Sequence, residues 1–156
     1  VFLSLISMSK LKMLIAVAVL IGIAITSYVF VPRDTQAQIT VFKSPTCDCC
    51  GEYISYLKDE GFKVAVQNVQ NRSEIKEKYG IPAEMESCHT AVMGNYFIEG
   101  HVPVSAINKL ITEKPVIDGI ALPGMPAGSP GMGGEKNNQF IIYALSKGVK
   151  SEFLVE

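Results

Sequence analysis

Ser44-Pro45-Thr46-Cys47-Asp48-Cys49-Cys50-Gly51 gathers three of the chain's four cysteines into four residues. The stretch follows a short run of strand character, Gln38 to Lys43, which is rich in β-branched and aromatic residues and is ended by Pro45. A helical pattern comes next. Tyr53, Tyr56 and Leu57 recur at i, i+3 and i+4, Glu52, Lys58 and Asp59 lie on other faces, and Gly61 follows Glu60 as a stop. The thiols therefore open a helix, where free N–H groups and the positive end of the macrodipole favour thiolate over thiol. Cys47 and Cys50 have the spacing of a redox C-x-x-C pair, and Cys49 is a third sulfur that a dithiol enzyme does not need.

Phe62 to Asn68 alternates in the manner of a second strand. Asn71 or Ser73 can cap a short helix carrying Ile75 and Tyr79 on one face and closed by Gly80 and Pro82. Thr90 to Met93 and Tyr96 to Glu99 read as strands joined at Gly94-Asn95, and Pro103 suits the first turn of a helix with Val104, Ile107 and Ile111 at helical spacing. The order β-α-β-α-β-β-α, with the cysteines at the first strand-to-helix turn, is that of the thioredoxin fold. In that fold the loop entering the third core strand packs beside the C-x-x-C motif and usually carries a cis-proline. Here that loop reads Glu86-Ser87-Cys88-His89-Thr90, so the fourth cysteine and a histidine stand in its place.

Pro115 to Glu135 is dense in glycine and proline and reads as a loop containing two Pro-Gly-Met triplets, at Met125 and Met132. Gln139 to Leu145 and Val149 to Val155 flank Ser146-Lys147-Gly148 as a C-terminal β-hairpin suited to a sheet edge. The expected architecture is α/β and thioredoxin-like, with a long Gly/Pro/Met loop, a C-terminal hairpin and a preceding N-terminal hydrophobic helix.

The chain has 156 residues, room for one domain of ordinary size over residues 38–156. A formal net charge of -1, with 19% charged residues and no basic run, gives no support to nucleic-acid binding. Residues 1–37 read as a signal peptide or membrane anchor with its linker. Met13 to Val31 is almost unbroken apolar sequence of roughly bilayer-spanning length, preceded by Lys10 and Lys12 and followed by a passable cleavage site at Thr35-Gln36-Ala37. Either reading places the domain outside the cytoplasm, and the only membrane contact expected is a transmembrane one through an uncleaved leader. Met8 is a plausible start.

In an oxidising compartment four cysteines could form two structural disulfides, but three within four residues argue against that framework. Folded as expected, Cys47, Cys49, Cys50 and Cys88 offer four thiolates to one small volume. Soft sulfur favours copper(I), zinc or an iron–sulfur cluster. Copper(I), which accepts low coordination and shared sulfurs, suits a crowded and multinuclear cluster best, with zinc the alternative. His89 and His101, the only histidines, are candidate ligands, and the thioethers of Met125 and Met132 are either soft ligands or loop packing residues. Tyr53, Tyr56 and Tyr79 are explained as core. A redox reading uses Cys47 as attacking thiolate and Cys50 as resolving thiol. The two readings can coexist, since thiols that take copper(II) can reduce it and hold the product. No phosphate-binding glycine motif, Ser/His/Asp order or carboxylate pair suggests other chemistry.

Ser44-Pro45-Thr46-Cys47-x-Cys49-Cys50-Gly51, Ser87-Cys88-His89-Thr90, Glu99-Gly100-His101-Val102-Pro103 and Pro123-Gly124-Met125-Pro126-x-Gly128-Ser129-Pro130-Gly131-Met132 resemble, in the same order, motifs of the CopG-type family, small exported proteins associated with bacterial copper resistance. The resemblance runs from about Ile39 to Met132. It implies a thioredoxin-like fold, a periplasmic setting and copper held by the cysteine cluster, with Cys47, Cys49, Cys50, Cys88, His89 and His101 matching the family's positions. It also implies a role in copper redox handling, as a copper oxidoreductase. The remaining readings are a thiol–disulfide oxidoreductase without metal, and a chaperone passing copper ions to an efflux or other copper-handling protein. Two departures stand out: Asp48 replaces a common glycine, and Tyr53 lies near a family tryptophan.

Overall fold

The computed structural model describes residues 12–19 and 38–156. The chain divides into two compact units, Val1–Thr35 and Gln36–Glu156. In the first, the described residues 12–19 form helix α1, and among the described residues no helix is long and apolar enough to cross a membrane. The rest of the apolar run expected over 13–31, and the cleavage site at 35–37, lie outside the described residues.

The second unit is a mixed α/β structure. Its elements are β1 (Gln38–Lys43), α2 (Asp48–Asp59), β2 (Lys63–Asn68), α3 (Arg72–Lys78), a 3-10 turn (Ala83–Met85), β3 (His89–Met93), β4 (Tyr96–Glu99), α4 (Val104–Glu113), β5 (Gly119–Ala121), β6 (Ile141–Ser146) and β7 (Val149–Val155). One seven-stranded sheet runs β2-β1-β3-β4-β5-β6-β7. β1 is parallel to β2 and β4 to β5, and the other neighbours are antiparallel.

Side chains alternate across each strand, so the sheet divides its apolar residues between two faces. One face packs Ile39, Val41, Ala91, Met93, Ile98, Ile120 and Ile142 against Tyr53, Ile54 and Leu57 of α2 and Ala106, Ile107 and Leu110 of α4. The other packs Phe97, Ala121 and Leu145 with Ile81, Met85 and Tyr79. The expected order β-α-β-α-β-β-α is found. Helix α2 begins two residues earlier than its apolar periodicity indicates, which draws Cys49 and Cys50 into its first turn and leaves Cys47 at the N-cap. Asn71 caps α3 as expected, its side-chain oxygen accepting from the Ser73 amide at 3.1 Å.

β5 lies within the stretch whose composition reads as loop. Three residues are too few to show a period, yet this strand joins the hairpin of β6 and β7 to the rest of the sheet. Lys147 and Gly148 both have positive φ (52° and 77°), the conformation that closes a tight hairpin, and Phe140 and Glu156 exchange backbone hydrogen bonds of 2.7 and 3.1 Å at its open end. Gly119 is fixed by contact. A Cβ there would lie 2.3 Å from the Phe97 carbonyl oxygen and 2.5 Å from its ring.

Gly119→Ala is therefore expected to destabilise the protein by about 1–3 kcal/mol, the usual cost of overpacking, read as a lowered urea midpoint. An unchanged midpoint would show that β5 is not held against β4 as described.

Candidate metal centre

Ser44, Pro45 and Thr46 turn the chain from β1 into α2, with the Cys47 amide donating to the Ser44 carbonyl at 3.2 Å. Cys47 takes extended backbone angles, and its side chain makes no cap hydrogen bond to the helix amides. It is joined to Cys50 by a disulfide, and Cys49 and Cys88 are free thiols. The sulfurs crowd together: Cys47 to Cys49 is 3.6 Å, Cys50 to Cys88 3.6 Å and Cys49 to Cys88 3.9 Å. All four lie within 4.8 Å of one another. Burial and the neighbouring Cys49 push the Cys88 thiol up to about 11. In the metal-free chain Cys88 therefore stays protonated at neutral pH, and a bound cation would displace that proton.

Cys88 belongs to a second group as well, with His89 and His101. His101 follows β4 through Gly100 and is fully buried. Its Nδ1 lies 2.6 Å from the Pro130 carbonyl oxygen, and a carbonyl can only accept, so Nδ1 carries the proton. Nε2 is then a lone pair, and it faces the Cys88 sulfur at 3.2 Å. His89, also fully buried, sets Nδ1 3.3 Å from the same sulfur and, among the described residues, leaves Nε2 without a hydrogen-bond partner. Burial, then the nearby His101 and Lys76, lower His89 to about 3, and burial lowers His101 too. Both rings are thus neutral at physiological pH, the form in which imidazole binds a metal.

The site has a floor and a cover. Tyr53, one turn beyond Cys50 on α2, is fully buried and stacks on both imidazoles, with centroids 4.7 Å from His89 and 5.1 Å from His101. Its hydroxyl donates to the Val102 carbonyl at 2.8 Å. Sequence periodicity marks Tyr53 only as core; its i, i+3 relation to Cys50 is the signal that it also supports the site. The cover is the glycine- and proline-rich loop. Its Pro130 carbonyl fixes His101, and Gly131, at φ +74°, approaches α2 so closely that a Cβ would sit 2.5 Å from the Tyr53 amide nitrogen. Six of the eight expected site residues thus converge in two overlapping groups. The methionines stand on the covering loop outside both groups, Met125 exposed and Met132 half-buried beside Gly131. Asp48 is exposed in the first turn of α2. A cavity of about 780 Å³ lined by Met93, Tyr96, Ile111 and Val116 lies at the other end of β1 and β3, remote from the cysteines.

A family described as "Protein of unknown function, DUF411" matches residues 85–132, a span holding Cys88, both histidines and both loop methionines. Two solved structures resemble the chain. One, titled copper resistance protein copG, form 1, is 37% identical, with a TM-score of 0.72 over 78% of this chain and 98% of that one. The other, form 2 of the same title, is 36% identical, with a TM-score of 0.71 over 77% and 98%. No curated protein matches the chain.

Gly131→Ala combines the contact at Tyr53 with the roughly 1–2 kcal/mol that a left-handed backbone costs a residue bearing a Cβ. The covering loop is expected to be cleaved by protease roughly ten-fold faster, in step with its open population, while the nitrogen NMR shifts of His101 lose the Nδ1–H signature. Native cleavage and shifts in the variant would place the loop's anchor elsewhere.

Proposed function

We propose, since the chain belongs to the family of the copper resistance protein CopG, that it holds copper(I) through Cys47, Cys49, Cys50 and Cys88, with His101 and His89 completing the site, in the service of copper resistance. The observation that carries this reading is the convergence on Cys88, where three other sulfurs, in a group partly open to solvent, meet two buried and neutral imidazoles. Sulfur and imidazole together suit a soft, low-coordinate cation. With the proton of His101 held on Nδ1 by Pro130, the nitrogens that face the Cys88 sulfur are His101 Nε2 at 3.2 Å and His89 Nδ1 at 3.3 Å, each in place to donate to a cation bound there. Copper is then the cargo, and shared sulfurs at these separations suit more than one ion.

The domain would be a thioredoxin-like one. Its sheet core β2-β1-β3-β4, with the cysteines at the β1-to-α2 turn, supports that assignment. Export to the periplasm, as a cleaved or an anchored protein, follows from the apolar leader and accords with the oxidised Cys47–Cys50 pair. That pair also favours a redox step. Two copper(II) ions and the reduced Cys47–Cys50 dithiol would give two copper(I) ions, one disulfide and two protons, leaving Cys49, Cys88 and the imidazoles to hold product. The second reading, thiol–disulfide exchange without metal, rests on the same disulfide at a helix N-terminus. It gives no role to Cys49 or to the two imidazoles.

Anaerobic titration of the reduced chain with copper(I) and with zinc, against a chelator of moderate affinity, separates the readings. Copper is expected to be retained in preference to zinc, and Cys49→Ser to lower the copper held per chain. Release of all copper to the chelator would reject the proposal. Full retention by Cys49→Ser, together with disulfide reductase activity abolished by Cys47→Ser, would favour the dithiol reading.

A further inference from the structure

Glu99 ends β4, two residues before His101, and is wholly buried. Its Oε1 accepts from the Ser87 amide at 2.5 Å and from Lys76 Nζ, and its Oε2 accepts from the Thr90 hydroxyl at 2.6 Å. Ser87 and Thr90 bracket Cys88-His89. Lys76, itself almost wholly buried, lies one helical turn from Arg72 on α3, and Arg72 Nη1 donates to the Cys88 carbonyl at 2.8 Å. One helix thus reaches the Cys88 segment directly through Arg72 and indirectly through the carboxylate. The next residue adds a further tie, since the Gly100 amide donates to the His89 carbonyl at 3.2 Å. Gly100, at φ +80°, has no room for a side chain, because a Cβ would lie 2.6 Å from the Leu122 carbonyl oxygen and 2.9 Å from Ser87 Oγ.

A buried ion pair is a poor way to stabilise a fold, because desolvating both charges offsets much of their attraction. What it supplies is direction. Here two of the three hydrogen bonds to the carboxylate end on the residues either side of Cys88-His89, and the third ends on the cation that neutralises it.

We propose that Glu99, neutralised by Lys76, is the positioning residue of the metal centre: it sets Cys88 and His89 at their distance from His101 without touching the metal. The inference rests on the reading of these three residues as ligands. Carboxylates that orient ligating residues from behind serve the same end in other metal sites. Glutamine at this position keeps the shape but exchanges one accepting oxygen for an amide donor, so it cannot accept from Ser87, Lys76 and Thr90 together.

The test uses the full chain carrying Glu99→Gln, and separately Thr90→Val, which removes one of the three bonds with little change of volume. In the metal-free protein with its disulfide intact, alkylation rates of Cys88 and Cys49 are compared by peptide mapping, alongside thermal melting. Glu99→Gln is expected to speed alkylation of Cys88 about ten-fold with Cys49 unchanged, and to weaken copper(I) retention against a chelator by roughly ten- to a hundred-fold, the range typical of a lost outer-shell partner. Thr90→Val is expected to move both in the same direction by about three-fold, as befits one hydrogen bond, with melting lowered by a few degrees and Cys49 labelling unchanged; its labelling ratio alone decides if Glu99→Gln fails to fold. Native ratios of Cys88 to Cys49 labelling would overturn the proposal. So would equal acceleration at both cysteines with a lowered melting temperature, since that marks general loosening. If the unsubstituted chain surrenders its copper, the proposed function fails, while the labelling ratio still decides the role of Glu99.

Discussion

The antiparallel pairing of β1 with β3, in the register that sets Lys43 opposite His89, is the constraint on which the site depends. β1 ends where the turn to the cysteines begins, and β3 begins where Cys88 ends, so this register alone brings the two sulfur-bearing segments to the same end of the sheet. A slip of one residue would exchange the faces of β3, burying Thr90 and Val92 where Ala91 and Met93 now pack against the helices. The core of the fold and the convergence of the thiols are therefore one requirement. The same end of the sheet delivers His101, because β4 returns antiparallel to β3 and stops at Glu99.

Polar groups are arranged at that end with little redundancy. His101 spends its one proton on Pro130, and Tyr53 spends its hydroxyl on Val102, so each buried ring has a fixed orientation. Tyr56 repeats the pattern from the neighbouring face of α2, accepting from the Val104 amide at 2.9 Å and so tying the start of α4 to the helix that carries the cysteines. His89 is the exception, with Nε2 buried and without a hydrogen-bond partner among the described residues. A desolvated polar atom left unused is costly, and here the cost falls on the ring whose other nitrogen, Nδ1, faces the Cys88 sulfur at 3.3 Å.

Much of this was legible in the chain itself. Alternation in Gln38–Lys43 and Tyr96–Glu99, the i, i+3, i+4 pattern after Cys50 and the cap at Asn71 are local signals, and local signals place elements. The cysteines and histidines were legible because their chemistry is rare in so short a chain. The rest depended on contacts between distant residues. β5 is three residues among glycines and prolines and carries no period. Glu99 reads only as the last residue of a strand until Lys76, 23 residues earlier, is folded against it. The protonated nitrogen of His101 follows from a proline carbonyl 29 residues away, in a loop whose composition speaks only of turns.

The Cys47–Cys50 disulfide ties two quantities that are usually separate. Each of these sulfurs can be half of a bond to the other or a donor to something else, and it cannot be both. With the pair oxidised, Cys49 and Cys88 are the thiols left among the four; with it reduced, all four are present in the same volume. The number of free thiols among the four is then set by the electron balance of the surroundings, two where it is oxidising and four where it is reducing, so the turn between β1 and α2 carries a record of ambient oxidation.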